Sequence, residues 1–162
     1  MHVQHGCLRT RVLLACLALG FSLTVGASEN RMTETEAVRA AASDFVEAFN
    51  NLDWEQFEAS WAEDATVFFP SGDNPQRVEG RDAIMATFLS FFETLPERRE
   101  GPPYLSIKPQ DLKVQMLGDS AIVTFHLGSS LRDNRRTFVF TRRDSRWLIA
   151  HLHASRLPVP TE

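Results

Sequence analysis

Apolar residues recur at helical spacing near the start of the chain's globular part. They lie three or four positions apart, at Val38, Ala42, Phe45, Phe49 and Leu52. This spacing predicts an amphipathic helix with one buried face. Thr33 is followed three positions later by Glu36, a capping-box pattern that would start this helix.

Two shorter helices are predicted after the first. Asp53 is suited to cap the second helix, because its carboxylate can accept a hydrogen bond from a backbone N–H of the first turn. Aromatic residues recur at helical intervals in this segment, at Trp54, Phe57 and Trp61, and Trp61 marks its end. The third helix follows Gly80 and stops before Pro96, because proline lacks the N–H that a helix interior requires.

The remaining segments have the composition of β-strands. They are rich in β-branched and aromatic residues and are separated by turn formers, at 65–69, 104–117, 121–127, 137–141 and 147–155. The last four predict an antiparallel meander. Both alternating sets of positions in the later strands are largely apolar, so we expect one sheet face to meet the helices and the other to meet a partner.

The N-terminus has the layout of a secretory signal peptide. Arg9 and Arg11 precede the uncharged stretch 12–25, and small residues follow it up to Ala27. We expect cleavage after Ala27, export to the periplasm or the outside of the cell, and no stable membrane insertion of the mature chain. The mature chain, 28–162, has the length of a single domain.

An alternative to removal of residues 1–27 is lipoprotein processing at Cys16. It is disfavoured, because only residues 12–15 would remain as the apolar core, and signal peptides use about 7–15 residues there. Cys7 and Cys16 are the only cysteines, so the mature chain has no disulfide. The chain has 17 basic and 21 acidic side chains, and an acidic chain of this kind argues against nucleic acid as a partner.

Five local sequences, in order, resemble the nuclear-transport-factor-2-like superfamily and its SnoaL-like branch. They are FNNLDW at 49–54, WAEDAT at 61–66, PSG at 70–72, EGRDAI at 79–84 and RWLIAHLHAS at 146–155. The resemblance implies a cone-shaped α+β fold of the cystatin-like type, with three N-terminal helices packed on a strongly curved, mostly antiparallel sheet. It also implies one pocket for a small-molecule ligand. The expected lining residues are Phe45, Trp61, Phe69, Phe88, Tyr104, His126, Phe138 and Ala154.

Ketosteroid isomerases share this fold and use an aspartate base with an oxyanion hole made by a tyrosine and a protonated aspartate. By the resemblance, the base falls on Phe69 and the tyrosine on Phe45, and the strand at 137–138 offers no carboxylate. These positions cannot shuttle a proton, which argues against that mechanism. Whether the chain is an enzyme stays open.

Residues 137–155 also resemble the end of the association domain of calcium/calmodulin-dependent protein kinases, with a tryptophan followed by His-x-His-x-Ser. That domain is a binding and oligomerising module, and we expect the present chain to form a homodimer through the outer face of its sheet. Its pocket arginines fall on His126, Phe138 and Ala154, of which only His126 is polar. The implied pocket favours an uncharged or aromatic ligand over a carboxylate.

His126 is the candidate general acid or base, because histidine is the side chain that titrates near neutrality. The alternative is a core histidine hydrogen-bonded to the backbone. Tyr104, the only tyrosine, could place its hydroxyl in the pocket or lie at a strand end. Two functions therefore remain: a ligand-binding or assembly module, and an isomerase, dehydratase or hydrolase that uses His126.

His151 and His153 lie two positions apart and share one face of a strand. Two histidines fall short of the three or four protein ligands that zinc usually takes, so we expect no metal. No sequence motif indicates a cofactor, so none is expected. The pair Arg135 and Arg136 lies near a turn and is interpreted as solvated charge.

Overall fold

The computed structural model describes residues 20–70, 76–128 and 134–156, with side chains from residue 32 onward. The chain divides into two compact units, Met1–Glu34 and Thr35–Glu162. In the first unit, the described residues are helical. The predicted signal peptide lies largely outside the described residues, and its cleavage stays a prediction. Among the described residues, no helix combines the length and hydropathy needed to cross a bilayer.

Helix α1 spans Gly20–Asn51, so the predicted start at Thr33 is wrong. No proline interrupts residues 20–51, and the helix therefore continues through Thr33. The helix ends where Leu52 adopts a left-handed backbone with φ of 55°. Asp53 N–H then donates to Ala48 O at 2.9 Å, the long hydrogen bond of a Schellman-type helix end.

Helix α2 spans Trp54–Ala59 and is capped as the sequence predicts. Asp53 Oδ1 accepts from the backbone N–H of Gln56 at 3.1 Å. Trp61 does not end this helix but begins strand β1, Trp61–Phe68. The strand starts early because β1 pairs with a later strand from its first residue, Trp61 opposite Ile149.

Strand β2, Val78–Glu79, and helix α3, Arg81–Thr94, follow β1. The sequence did not predict β2, because two residues are too few to show the alternation of apolar and polar positions that identifies a strand. Gly80 joins the two elements with φ of 86°, a conformation that side-chain-bearing residues rarely adopt. Its N–H donates to Ala65 O at 2.8 Å, which holds the start of α3 against β1.

The sheet is completed by β3 (Gln110–Leu117), β4 (Ser120–Leu127), β5 (Asn134–Arg143) and β6 (Arg146–Arg156). The strand order is β2-β1-β6-β5-β4-β3, and only the pairing of β1 with β6 is parallel. The predicted meander and the predicted α+β class, helices on a curved and mostly antiparallel sheet, are confirmed. The predicted strand from residue 104 begins only at Gln110, since Pro109 lies directly before it and has no N–H to donate to a neighbouring strand.

The two faces of the sheet differ in burial. Val123, Phe138 and Leu152 are neighbours on the buried face, which meets the helices through contacts such as Phe45 with Phe138. On the other face Ile122 and Val139 are neighbours and only half-buried. A helix-covered face is thus confirmed, and a partner on the open face stays a prediction.

Candidate functional site

A cavity of about 630 Å³ lies between the helices and the buried face of the sheet. Most of its wall is apolar, and phenylalanine is the commonest residue in it. Helices α1 and α3 and strands β4, β5 and β6 supply most of the wall, with Phe69, Pro70 and Ile107 from connecting segments. The helices contribute Phe45, Val46, Phe49, Thr87, Phe88, Ser90 and Phe91, and the strands contribute Phe125, Leu127, Arg136, Phe138, Leu152 and Ala154.

Aromatic contacts hold the rings of the wall in place. Phe138 meets Phe45 edge-on at 5.2 Å between ring centroids and stacks on Phe125 at 5.4 Å. On the helix side, Phe88 meets Phe69 at 5.3 Å and Phe49 at 5.8 Å. Rings at such separations attract each other beyond simple burial, so the wall is pre-formed rather than loosely packed.

A second aromatic layer supports the wall from behind. Phe57 is fully buried and lies 4.9 Å from Phe88 and 5.3 Å from Phe45, measured between ring centroids. Trp61 is also fully buried and meets Phe45 at 5.7 Å. Its indole Nε1 has no hydrogen-bond partner among the described residues. The structure therefore places Trp61 in the core behind the cavity and not on its wall.

Asn50, near the end of α1, fixes another part of the wall. Its side-chain amide donates to Ile107 O at 3.0 Å and accepts from Ile107 N–H at 2.8 Å. Its backbone O accepts from the N–H groups of Tyr104 and Leu105 at 2.8 and 3.1 Å. These four hydrogen bonds replace the strand pairing that residues 104–107 lack, and they set Ile107 against the cavity.

The structure brings together five of the eight expected lining residues. These are Phe45, Phe69, Phe88, Phe138 and Ala154. Trp61 lies behind the wall, as described above. Tyr104 lies in the segment held by Asn50, outside the described wall of the cavity.

His126 lies on the opposite face of β4 from the cavity. Its neighbours Phe125 and Leu127 line the cavity, and alternate side chains of a strand point to opposite faces. Across the sheet, His126 is opposite Arg135 on one side and Gln110 on the other. Its Nδ1 atom is buried and has no hydrogen-bond partner among the described residues. This placement separates His126 from any molecule bound in the cavity.

The charged residue on the wall is Arg136, which sequence reasoning treated as solvated charge. Its guanidinium Nη1 donates to Arg135 O at 2.9 Å. Burial, followed by repulsion from Arg156, lowers the pKa of Arg136 below its ordinary value. The overlooked signal was alternation: Arg136 shares its parity along β5 with the buried Phe138 and Phe140.

His151 and His153 both belong to the open face of the sheet. The His151 Nδ1 atom lies 2.8 Å from the Thr66 hydroxyl, and both imidazole rings contact Phe68. Burial, and then the nearby charges of His153 and Arg77, lower the pKa of His151. Within residues 20–70, 76–128 and 134–156, no three His, Cys, Asp or Glu side chains are arranged to hold a metal ion.

Comparison with known proteins places this architecture in a family. Among solved structures, the chain is similar to a putative dehydratase of the NTF2-like family from Streptomyces avermitilis, with a TM-score of 0.66 and 22% identity, covering 80% of this chain and 99% of that one. It is also similar to an NTF2-like protein of unknown function from Pseudomonas putida KT2440, with a TM-score of 0.64 and 20% identity over 81% and 91% of the two chains.

A third similar structure is a putative calcium/calmodulin-dependent protein kinase type II association domain from Thiobacillus denitrificans. Its TM-score is 0.55 at 22% identity, over 74% of this chain and 94% of that one. No curated protein sequence matches the chain significantly. The SnoaL-like domain model matches residues 38–160, which include every described residue that lines the cavity. The chain therefore belongs to the SnoaL-like domain family and has the NTF2-like fold that its sequence predicts.

Proposed function

We propose that this SnoaL-like domain binds a small molecule with an apolar or aromatic body in the phenylalanine-lined cavity. The observation that carries the proposal is the cavity itself. Its volume of about 630 Å³ falls within the range of about 300–1,000 Å³ that is typical of small-molecule sites. Its wall combines a mostly apolar surface with a few polar groups, the composition that such sites usually have.

The proposal is tested with N-phenyl-1-naphthylamine, a neutral dye whose fluorescence rises in apolar surroundings. Ser90 is an exposed residue of α3 that also borders the cavity, so Ser90→Trp should obstruct it without overpacking the core. We expect saturable binding by the wild type and a loss of about tenfold or more in affinity for Ser90→Trp, equivalent to about 1.4 kcal/mol.

Leu89→Trp is the matched control. Leu89 is exposed on the same helix and is not among the described residues that line the cavity. As the residue next to Ser90, it points about 100° around the helix from it. The Leu89→Trp variant should bind the dye as the wild type does. Binding that is absent in the wild type, or unchanged in Ser90→Trp, would remove the cavity from the proposal.

We favour ligand binding over a catalytic role for His126, because the His126 side chain and the cavity lie on opposite faces of β4. One structural neighbour is named a putative dehydratase, and an isomerase, dehydratase or hydrolase activity is the competing function. A turnover that varies with pH and disappears in His126→Gln would favour that competitor.

Assembly as a homodimer is the second part of the proposal. Ile122 and Val139 are apolar neighbours at the centre of the open sheet face and remain half-exposed in the single chain. Burying such a patch against a second copy would stabilise the pair. Light scattering should give a dimer mass for the wild type and a monomer mass for Val139→Asp. Leu89→Asp, which changes an exposed leucine on α3, should leave the dimer intact.

Export is the third part, and it is supported by the sequence pattern of residues 1–27. Mass spectrometry of the protein recovered from the periplasm or medium should show a chain that begins at Ser28. A lipid-modified N-terminus at Cys16 would contradict cleavage after Ala27.

A further inference from the structure

Arg136 brings a positive charge to an otherwise uncharged cavity wall. Among the described lining residues, no other side chain is charged, and the remaining polar ones are Thr87 and Ser90. No carboxylate of the described residues lies within ion-pair distance of the Arg136 guanidinium. The charge therefore has no protein counter-ion in the part of the chain that the structure describes.

Two nitrogen atoms of the Arg136 guanidinium, Nε and Nη2, are available to donate hydrogen bonds to an oxyanion. Within the described residues, both hydrogen bonds of Arg136 leave from Nη1, to Arg135 O at 2.9 Å and to Ser155 O at 3.5 Å. These bonds fix one end of the side chain and leave Nε and Nη2 without a protein acceptor there. Nε and Nη2 lie on the same side of the guanidinium and together can donate two parallel hydrogen bonds to a carboxylate or sulfonate.

Arg136 lies beside the aromatic residues of the cavity wall. In the sheet, Arg136 lies directly between Phe125 on β4 and Ala154 on β6, and all three line the cavity. Phe138, two positions further along β5, stacks on Phe125. A molecule that touches these rings would therefore have its polar end within reach of the guanidinium.

The surrounding charges also favour an anion. Arg156, on β6, is close enough to repel the Arg136 cation and helps to lower its pKa. The chain as a whole has an excess of acidic side chains, yet the described cavity wall has none. An arginine remains protonated even when partly buried, so a bound anion would relieve an unfavourable concentration of positive charge.

We propose that the cavity selects monoanionic amphiphiles, molecules whose apolar or aromatic body packs on the phenylalanines and whose single carboxylate or sulfonate accepts hydrogen bonds from Nε and Nη2 of Arg136. This inference rests on the proposed ligand-binding function and specifies its ligand class. It reverses the expectation from the kinase-domain resemblance, which favoured an uncharged or aromatic ligand over a carboxylate because Phe138 and Ala154 stand at two of the three positions of that domain's arginines.

The test uses two pairs of probes that differ in charge and share a skeleton. The first pair is 8-anilinonaphthalene-1-sulfonate and its neutral parent N-phenyl-1-naphthylamine, followed by fluorescence. The second pair is 1-naphthylacetate and 1-naphthylacetamide, followed by displacement of the bound dye. We expect the wild type to bind the anion of each pair about tenfold or more tightly than the neutral member, the effect of a charge-assisted hydrogen bond.

Two matched variants assign the preference to this side chain. Arg136→Gln should abolish the preference for the anion and leave binding of the neutral member within about twofold. Arg135→Gln removes the same charge from the neighbouring position on the opposite face of β5, and the preference should survive. Arg136→Lys keeps the charge but loses the paired donors, and it should show an intermediate preference even if Arg136→Gln folds poorly.

The outcomes separate the two proposals. Equal binding of charged and neutral members by the wild type overturns the role of Arg136 and leaves the cavity as a neutral-ligand site. A preference that Arg135→Gln and Arg136→Gln reduce equally also overturns it, because the effect would then come from net charge alone. Failure of all four probes to bind counts against the ligand-binding function itself.

Discussion

Replacing Asn50 should destabilise the fold strongly for a partly exposed polar residue, because its side-chain amide makes two hydrogen bonds to Ile107, 57 positions later in the sequence. In Asn50→Leu both bonds are lost, and the N–H and C=O of Ile107 are left partly buried without partners. A hydrogen bond contributes about 0.5–1.5 kcal/mol net, and a buried group without a partner costs about 1–3 kcal/mol. We therefore expect a loss of about 2–4 kcal/mol in the free energy of unfolding.

Asn50→Asp distinguishes the two bonds. An aspartate can accept from Ile107 N–H, but as a carboxylate it cannot donate to Ile107 O, and it also adds a negative charge near the C-terminal end of α1. Asn50→Asp should therefore be destabilised at neutral pH. It should regain part of the loss as the pH is lowered and the carboxyl group becomes a donor.

The measurement is urea unfolding followed by the fluorescence of the tryptophans, with Asn51→Leu as the matched control. Asn51 is the adjacent residue of α1, and no hydrogen bond joins its side chain to the described residues. The control should stay within about 0.5 kcal/mol of the wild type. If Asn50→Leu were equally harmless, the amide would not be holding Ile107, and this account of the wall would be refuted.

Three further substitutions follow from the same structure. Phe57→Ala should lower the free energy of unfolding by about 3–5 kcal/mol, because Phe57 is fully buried. A loss below about 1 kcal/mol in chemical unfolding would contradict its supporting role. Gly80→Ala should lower the free energy of unfolding by about 1–3 kcal/mol because the backbone φ there is 86°, although an added Cβ would contact no other atom. An unchanged melting temperature would show that the turn adopts another conformation without cost. His151→Gln should flatten the pH dependence of stability between about pH 7 and pH 5. The lowered pKa of His151 makes the folded state bind its proton more weakly than the unfolded chain, so its contribution is complete above the ordinary value of 6.5 and declines as the pH falls. A variant whose pH profile matched the wild type would contradict this.

Local patterns predicted the parts of the fold that depend on local chemistry. The spacing of Val38, Ala42 and Phe45 located the buried side of α1, and Asp53 correctly marked the start of α2. The early start of β1 at Trp61 was not predictable in this way, because it depends on pairing with Ile149. Secondary structure that arises from a distant partner leaves little trace in the local sequence.

The same division applies to the cavity. Phe45 and Phe138 could be placed on its wall from periodicity and from the resemblance, because large apolar residues on a buried face have few other places to lie. The role of Asn50 could not be predicted, since no pattern in the neighbouring sequence connects Asn50 with Ile107. The arginine was a different case, because counting alternate positions along β5 from Phe138, an expected lining residue, would have turned Arg136 inward.

The parallel pairing of β1 with β6 has a consequence for synthesis. Thr66 meets His151, 85 positions later, and the last strand lies between β1 and β5 instead of at an edge. On the ribosome, the nascent chain therefore cannot complete the centre of this sheet until Arg146–Arg156 emerges. Contacts of such long separation form slowly, and a prematurely terminated chain that lacks Arg146–Arg156 would leave β1 and β5 with unpaired backbone edges. The sheet can therefore form only after β6 has been synthesised.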